Sequence, residues 1–279
     1  MDIKAADVAK LRQMTGAGMM DCKKALVEAE GDYDRAQEII REKGKLVAAK
    51  RADRNTTEGA VIAKVNGNKA ILVCLGCETD FVSKNAEFQA IAEAIAQTAI
   101  ENFPADVEAL KACPLADGQT VEAVVTQQTG KTGEKHELAH YSCIEAPYIA
   151  SYIHKINGKL GAIVGFNKEV SEELGKGVAM QVASMNPVSV SKSDCPAEVV
   201  EKELHLYKEQ MKADPKMAGK PEAMLENIAM GKLGKFFKES TLEEQTYQMG
   251  DGKSTVAEHI ASVDKDAKVV AFRRYTLND

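Results

Sequence analysis

At 279 residues, with 44% hydrophobic and 28% charged side chains and no Trp, the chain has ordinary globular composition and the length for two or three domains. A net charge of -6 excludes a general nucleic-acid footprint. No stretch approaches the roughly 20 apolar residues of a membrane helix, and Met1-Asp2-Ile3-Lys4 lacks the basic-then-apolar opening of a signal peptide. The six cysteines (Cys22, Cys74, Cys77, Cys113, Cys143, Cys195) are scattered in a chain too large to need disulfide staples. They read as free thiols of a reducing compartment, so a cytoplasmic protein is expected, with no membrane and no direct nucleic-acid partner.

Residues 1–44 read as three short helices punctuated by glycine. Val8, Leu11 and Met14 mark one face of the first, which stops at Gly16. The second opens near Met19, carries Cys22, Ala25, Leu26 and Ala29 on one stripe, and ends at Gly31. Asp32 suits the N-cap of a third with the stripe Ala36, Ile39 and Ile40, ending at Gly44. Three such helices make a marginal core, so the module is expected to lean on the rest of the chain or on a partner. Residues 45–54 are basic and without strong periodicity; they read as a connector, helical or extended, with solvated charges.

The middle of the chain is duplicated. Residues 59–75 form two alternating strands joined at Asn66-Gly67, and residues 152–166 do the same at Asn157-Gly158, an offset of 91. A helix follows each hairpin, with Phe88, Ile91, Ala92, Ile95 and Ala99 on the first and Leu174, Val178, Val182 and Met185 on the second. Further on, Asp117-Gly118-Gln119-Thr120-Val121 and Asp251-Gly252-Lys253-Ser254-Thr255-Val256 each open a short helix. Last strands are expected over 136–146 and 268–277. The fold class is α+β, with two duplicated core subdomains, each a three-stranded antiparallel sheet covered by helices.

The copies differ in two places. Between hairpin and helix the second copy needs only Asn167-Lys168-Glu169-Val170, whereas the first spends residues 76–84 there. That longer stretch holds Cys77-Glu78-Thr79-Asp80-Phe81-Val82-Ser83-Lys84-Asn85, in which a bare Phe stands beside an Asp. An aromatic beside a carboxylate in a polar loop suits insertion into a partner, and an elaboration the fold does not need points to function. In the second copy, residues 198–212 carry Val200, Leu204, Tyr207 and Met211 at 4-3-4 spacing. A turn with Pro215, Gly219 and Pro221 leads to a second helix through Leu225, Ile228 and Phe236. This is an inserted antiparallel helical hairpin that dimerises, docks on a partner or pairs with itself, self-pairing being the default.

Several catalytic patterns fail on their own terms. Gly16-Ala17-Gly18 follows no strand and lacks the third glycine of a dinucleotide site, and Gly130-Lys131-Thr132 has Val125 where a phosphate loop needs glycine. Cys74-Leu75-Gly76-Cys77 is a single CxxC without a second ligand pair or a thioredoxin-like frame. His136 and His140 stand four apart in a strand and are expected on one face, with nothing to complete a zinc site. No nucleophile with a partnering His is arguable. The expectation is a protein that acts without catalytic residues, metal or cofactor.

The N-terminal Leu11-Arg12-Gln13-Met14-Thr15-Gly16-Ala17-Gly18-Met19-Met20-Asp21-Cys22-Lys23-Lys24-Ala25-Leu26 resembles the first signature of the translation elongation factor Ts family. Thr79-Asp80-Phe81-Val82-Ser83-Lys84-Asn85 matches its second, of the form TDFVxxN, and Val199-Val200-Glu201-Lys202-Glu203 is similar as well. The resemblance implies a nucleotide exchange factor for the GTPase elongation factor Tu. It implies a ubiquitin-associated-like domain over 1–50, a core subdomain over 55–146, and another over 147–279 with the helical hairpin inserted at about 190–238. It implies that Thr79, Asp80, Phe81 and Val82 act at the Mg²⁺ and phosphate end of the partner's nucleotide site, Phe81 as a wedge. Arg12, Met19 and Met20 belong to the N-terminal contact, with helical phase also putting Met19 in line with the core residues Cys22 and Leu26. His154, in Ser151-Tyr152-Ile153-His154, and Met249 match the far contact, with a plain strand histidine a close second reading of His154. The chain ends soon after Phe272-Arg273-Arg274-Tyr275, where some members carry a further helical module. The competing readings are a ubiquitin-associated-like adaptor and a thiol protein built on Cys74 and Cys77.

Overall fold

The structure, a computed structural model, describes residues 3–156, 158–217, 219–250 and 252–277, with Lys216 as backbone only. Three helices come first: α1 (Ala5–Thr15), α2 (Met19–Glu28) and α3 (Tyr33–Arg51). Gly16 ends α1 in the left-handed region at φ 67°, and the Asp32 carboxylate caps α3 by accepting the Asp34 and Arg35 N–H groups at 2.9 and 3.0 Å. Val8, Leu11, Cys22, Ala25, Leu26 and Ala36 form their shared core. Met14 is not part of it; it stands exposed.

Helix α3 does not stop at Gly44. It runs on to Arg51, so most of the expected connector is helix, still largely solvated along its length. Gly44 is buried mid-helix because α3 crosses a later helix there, and it is the facing Gly130 whose added methyl would sit too close, 2.6 Å from the Gly44 Cα. Tertiary packing, not periodicity, sets this helix's length.

The first sheet has strands β1 (Glu58–Asn66), β2 (Lys69–Cys77) and β3 (His136–Glu145) in the order β1-β2-β3, all antiparallel. Between β2 and β3 come α4 (Asp80–Ser83), α5 (Ala86–Asn102), α6 (Val107–Ala112) and α7 (Val121–Thr132). The second sheet repeats the order with β4 (Tyr148–Ile153), β5 (Leu160–Phe166) and β6 (Val269–Thr276). Its helices are α8 (Glu172–Met185), α9 (Ala197–Ala213), α10 (Glu222–Ser240) and α11 (Val256–Val263). Strand β4 therefore begins four residues earlier than the alternation suggested. In the first hairpin Asn66 pairs with Lys69, so the loop residues are Gly67 and Asn68, and Gly67 takes the positive φ of 59°. Asn157, the expected turn residue of the second hairpin, lies outside the described residues; Gly158 beside it has φ 63°.

Each sheet has one face under helices and one face on the other sheet. Ile71, Val73 and Leu75 pack beneath Phe88, Ala92, Ile95 and Ala99 of α5. Ala162, Val164 and Phe166 pack beneath Leu174, Val178 and Val182 of α8. Between the sheets, Val61, Leu72, Cys74 and Ile144 meet Ile149 and Ile163, and the His140 ring stacks on Tyr275 at 4.3 Å. Two buried faces explain why β2 is apolar without alternation.

His136 and His140 do not share a face. Cys74 pairs with His140 and Leu75 with Leu138, so Ala139 is an extra residue in β3, a β-bulge. His136 lies near Phe88 on the helix side, while His140 points between the sheets. The second sheet has the same irregularity at the matching place, because Gly165 pairs with Ala271 and Phe166 with Val269. The offset between the hairpins carries Cys74 onto Gly165, so the duplication extends to the bulge.

Helices α9 and α10 pack against each other. Met211, Ala229, Leu233 and Phe237 are buried, and the Lys232 ammonium lies 5.6 Å from the Tyr207 ring centroid. Phe237 takes the buried place and Phe236 is only half-buried, one residue away from the expected stripe.

Candidate partner-binding surface

Strand β2 ends at Cys77, and the next residues leave the sheet as a single helical turn, α4. Asn85 stops that turn and starts the next helix: its side chain accepts the Glu87 N–H at 2.8 Å and caps α5. The turn is pinned from inside. The Cys77 thiol donates to the Thr79 carbonyl at 3.3 Å, the buried Ser83 hydroxyl donates to the Asp80 carbonyl at 3.2 Å, and the Gln89 amide donates to the Ser83 carbonyl at 2.6 Å. Val82 is half-buried against the first core. With Val82 turned inward, Phe81 has nowhere to pack, and 86% of it is exposed.

Two carboxylates fasten the stem. Glu134, just before β3, accepts the Thr79 N–H at 3.1 Å and the Thr79 hydroxyl at 2.7 Å. Glu78 accepts the Lys135 N–H at 2.6 Å and meets Arg51 at 3.2 Å and Arg54 at 3.1 Å. Burial raises the Glu78 carboxyl pKa, but the Lys135 N–H and the two arginines outweigh it, so the net shift is downward. Asp80 is open to solvent and pairs with Lys84 at 2.7 Å, which holds its carboxyl below the usual range. The result is a rigidly mounted aromatic ring with an ionised carboxylate beside it. Such a device has the shape and charge to enter a complementary cleft.

The CxxC cannot work as a redox pair. Cys74 faces the layer between the sheets and Cys77 the layer under α5. Burial pushes both thiols up, Cys77 to about 12 and Cys74 further, so neither supplies a thiolate. The thiol-protein reading ends here. Among the described residues no cluster of three His, Cys, Asp or Glu side chains could hold a metal.

A profile of the family described as Elongation factor TS matches residues 78–279, from the stem of the turn through β6. Elongation factor Ts of Christiangramia forsetii is 48% identical over 279 residues, covering 99% of this chain and 98% of its own. That of Porphyromonas gingivalis is 44% identical over 278 residues, covering 100% and 99%. The chain belongs to the elongation factor Ts family. It is a translation elongation factor, the nucleotide exchange factor for elongation factor Tu. No described helix is long and apolar enough to cross a membrane.

The other residues implied by membership of the elongation factor Ts family stand apart from the turn. Arg12, Met19 and Met20 are all exposed, Met19 at 50% and Met20 at 65%. Met19 is thus not core; it is the first residue of α2, and Ala17, two residues earlier, belongs to the buried cluster instead. His154 follows β4, with Nδ1 2.9 Å from the Tyr152 hydroxyl. Met249 lies elsewhere in the second half, in a cleft with Met180, Tyr247, His259 and Val263. Sequence reasoning missed three things. Glu134 and the Arg51 and Arg54 pair, which fasten the turn, act from distant positions that carry no local signal. Ile156 is 87% exposed near His154 in sequence, and an isoleucine in a Lys-Ile-Asn-Gly turn was a readable sign of an exposed apolar side chain.

Proposed function

We propose that the chain speeds GDP release by inserting the Asp80-Phe81 turn at the Mg²⁺ and phosphate end of the nucleotide site of elongation factor Tu. The observation that carries this reading is the exposed Phe81 on a stem held by Glu134 and Glu78. Phe81 is the wedge and Asp80 perturbs the loops that hold the metal; Thr79 and Val82 mount the pair. Mg²⁺ demands near-ideal octahedral oxygen geometry, so a small displacement of its ligands weakens GDP strongly. The factor binds the nucleotide-free GTPase better than the GDP-bound one, and linkage makes nucleotide weaken the factor by the same ratio. It acts through binding, without covalent chemistry, in the cytoplasm and without membrane or direct nucleic-acid contact.

Residues 1–50 act as the ubiquitin-associated-like docking domain, with Arg12, Met19 and Met20 on the GTPase. The core subdomains span 55–146 and 147–279, the second carrying α9 and α10 as an inserted hairpin, and His154 and Met249 reach the far end of the partner. The test is release of fluorescent GDP from elongation factor Tu under catalytic amounts of the chain. Asp80→Ala with Phe81→Ala is expected to slow stimulated release about tenfold or more, a coupling on the order of 1.4 kcal/mol. An unchanged rate sinks the mechanism.

A further inference from the structure

Five consecutive residues, 130–134, touch both surfaces assigned above to the GTPase. Gly130 lies where α7 crosses α3; a methyl group added there would sit 2.6 Å from the Gly44 Cα, closer than any carbon can approach. Lys131 bonds the Glu87 carboxylate on α5 at 2.6 Å, and its ammonium lies beneath Gly16, 2.6 Å from where a Gly16 methyl would be. Gly16 is the bend that leads into Met19 and Met20. Gly133 ends α7 at φ 74°, the Thr132 hydroxyl accepts the Glu134 N–H at 3.1 Å, and Glu134 then grips Thr79.

We infer that residues 130–134 are a clasp, with Gly130 and Glu134 as positioning residues that fix the three-helix module and the Asp80-Phe81 turn on one frame. This rests on the proposed function, which gives both surfaces the same partner. Two contacts on a preformed frame lose less freedom on binding than two contacts that must find each other. Gly130 governs how well both engage at once, and Glu134 governs the aim of the turn. Gly130-Lys131-Thr132, a false phosphate loop by sequence, thereby gains a role.

Full-length variants are compared in GDP release from elongation factor Tu over a range of factor concentrations. Gly130→Ala keeps α7 helical, since alanine favours helix over glycine. It is expected to raise the half-saturating concentration about tenfold and change the maximal rate less than about twofold, the signature of lost preorganisation. Glu134→Gln is expected to do the reverse, lowering the maximal rate about fivefold with half-saturation nearly unchanged. Gly231→Ala on α10, where a methyl meets nothing within 4 Å, controls for the glycine replacement and leaves both constants as they are. Dyes at azido residues replacing the exposed Lys24 and Gln97 report the frame without the partner. Energy transfer shifts with Gly130→Ala and not with Gly231→Ala. Unchanged transfer and exchange in Gly130→Ala overturn the clasp, as does a Glu134→Gln that keeps the full maximal rate. Met20→Ala and Phe81→Ala in the otherwise unaltered chain separate the two failures. If neither slows exchange, the proposed function falls; if both do while the clasp variants behave as the parent, only the clasp falls.

Discussion

The two β-hairpins hand the chain to their covering helices in different ways. From β5 the chain passes from Phe166 to Glu172 with a single Ser171 cap; from β2 it passes from Cys77 to Ala86 through an extra helical turn. Both sheets have the same strand order, the same bulge position and the same helix-covered face. The second half shows that this frame closes without a turn, so the turn of the first half is not there for the fold. Its fastenings agree with that: Glu134, Arg51 and Arg54 come from outside the hairpin and converge on the stem, leaving the tip bare. Two separate segments, the end of α3 and the approach to β3, thus brace one short turn.

Two phenylalanines test the comparison most severely. Phe166 closes β5 with no exposure at all, while Phe81 tops the turn. Phe166→Ala is expected to cost about 3–5 kcal/mol of stability through the cavity it leaves. Phe81→Ala should change stability by less than about 0.5 kcal/mol, as for other surface replacements away from special features. Chemical denaturation of both variants, read beside their exchange rates, checks the pair. The contrast breaks if Phe81→Ala unfolds the protein, since the turn would then be structural.

The sequence revealed what local chemistry decides. Glycines at Gly16, Gly67 and Gly158, the Asp32 cap and the stripes of α5 and α8 each carry their reason within a few residues. What it hid depends on distant partners. Gly44 looked like a helix end because glycine usually is one, and only Gly130 makes it a crossing. The bulge at Ala139 leaves no mark on hydrophobic alternation, so His136 and His140 were put on one face. At the proposed site, the exposed turn with Asp80 and Phe81 was legible because the repeat revealed an insertion, whereas Glu134 contacts a residue 55 positions away.

That hidden histidine gives the second test. Paired across the bulge, the first half has the imidazole of His140 where the second has the methyl of Ala271. Burial, helped by the Arg273 charge, pushes the His140 pKa down to about 4. The folded form therefore takes up this proton less readily than the unfolded chain. Its contribution to stability is complete above the ordinary value of about 6.5 and is lost as pH falls toward about 4. Allowing for solvent screening at a partly open edge, the loss is on the order of 1–2 kcal/mol. His140→Gln should remove that part of the difference between denaturation at pH 7 and at pH 4.5. An identical pH dependence in parent and variant would place His140 in water and undo the two-sheet packing inferred around it.

The smallest effect discriminates most finely, because it compares like with like. Asn85 and Ser171 cap equivalent helices, accepting the Glu87 N–H at 2.8 Å and the Leu174 N–H at 3.3 Å. Replacing either with alanine should cost about 1 kcal/mol, the usual value of an N-cap. Stability alone therefore makes the two sites equal. They differ in what stands before them: Asn85 immediately follows the Phe81 turn and donates its N–H to the Val82 carbonyl, while among the described residues no helical turn stands between β5 and Ser171. If the turn works by being held rigidly, Asn85→Ala lowers the stimulated rate of GDP release and Ser171→Ala does not, at matched stability. Equal loss of exchange in both would mean that stability, not the mounting of the turn, limits the rate, and the asymmetry between the halves would lose its functional meaning.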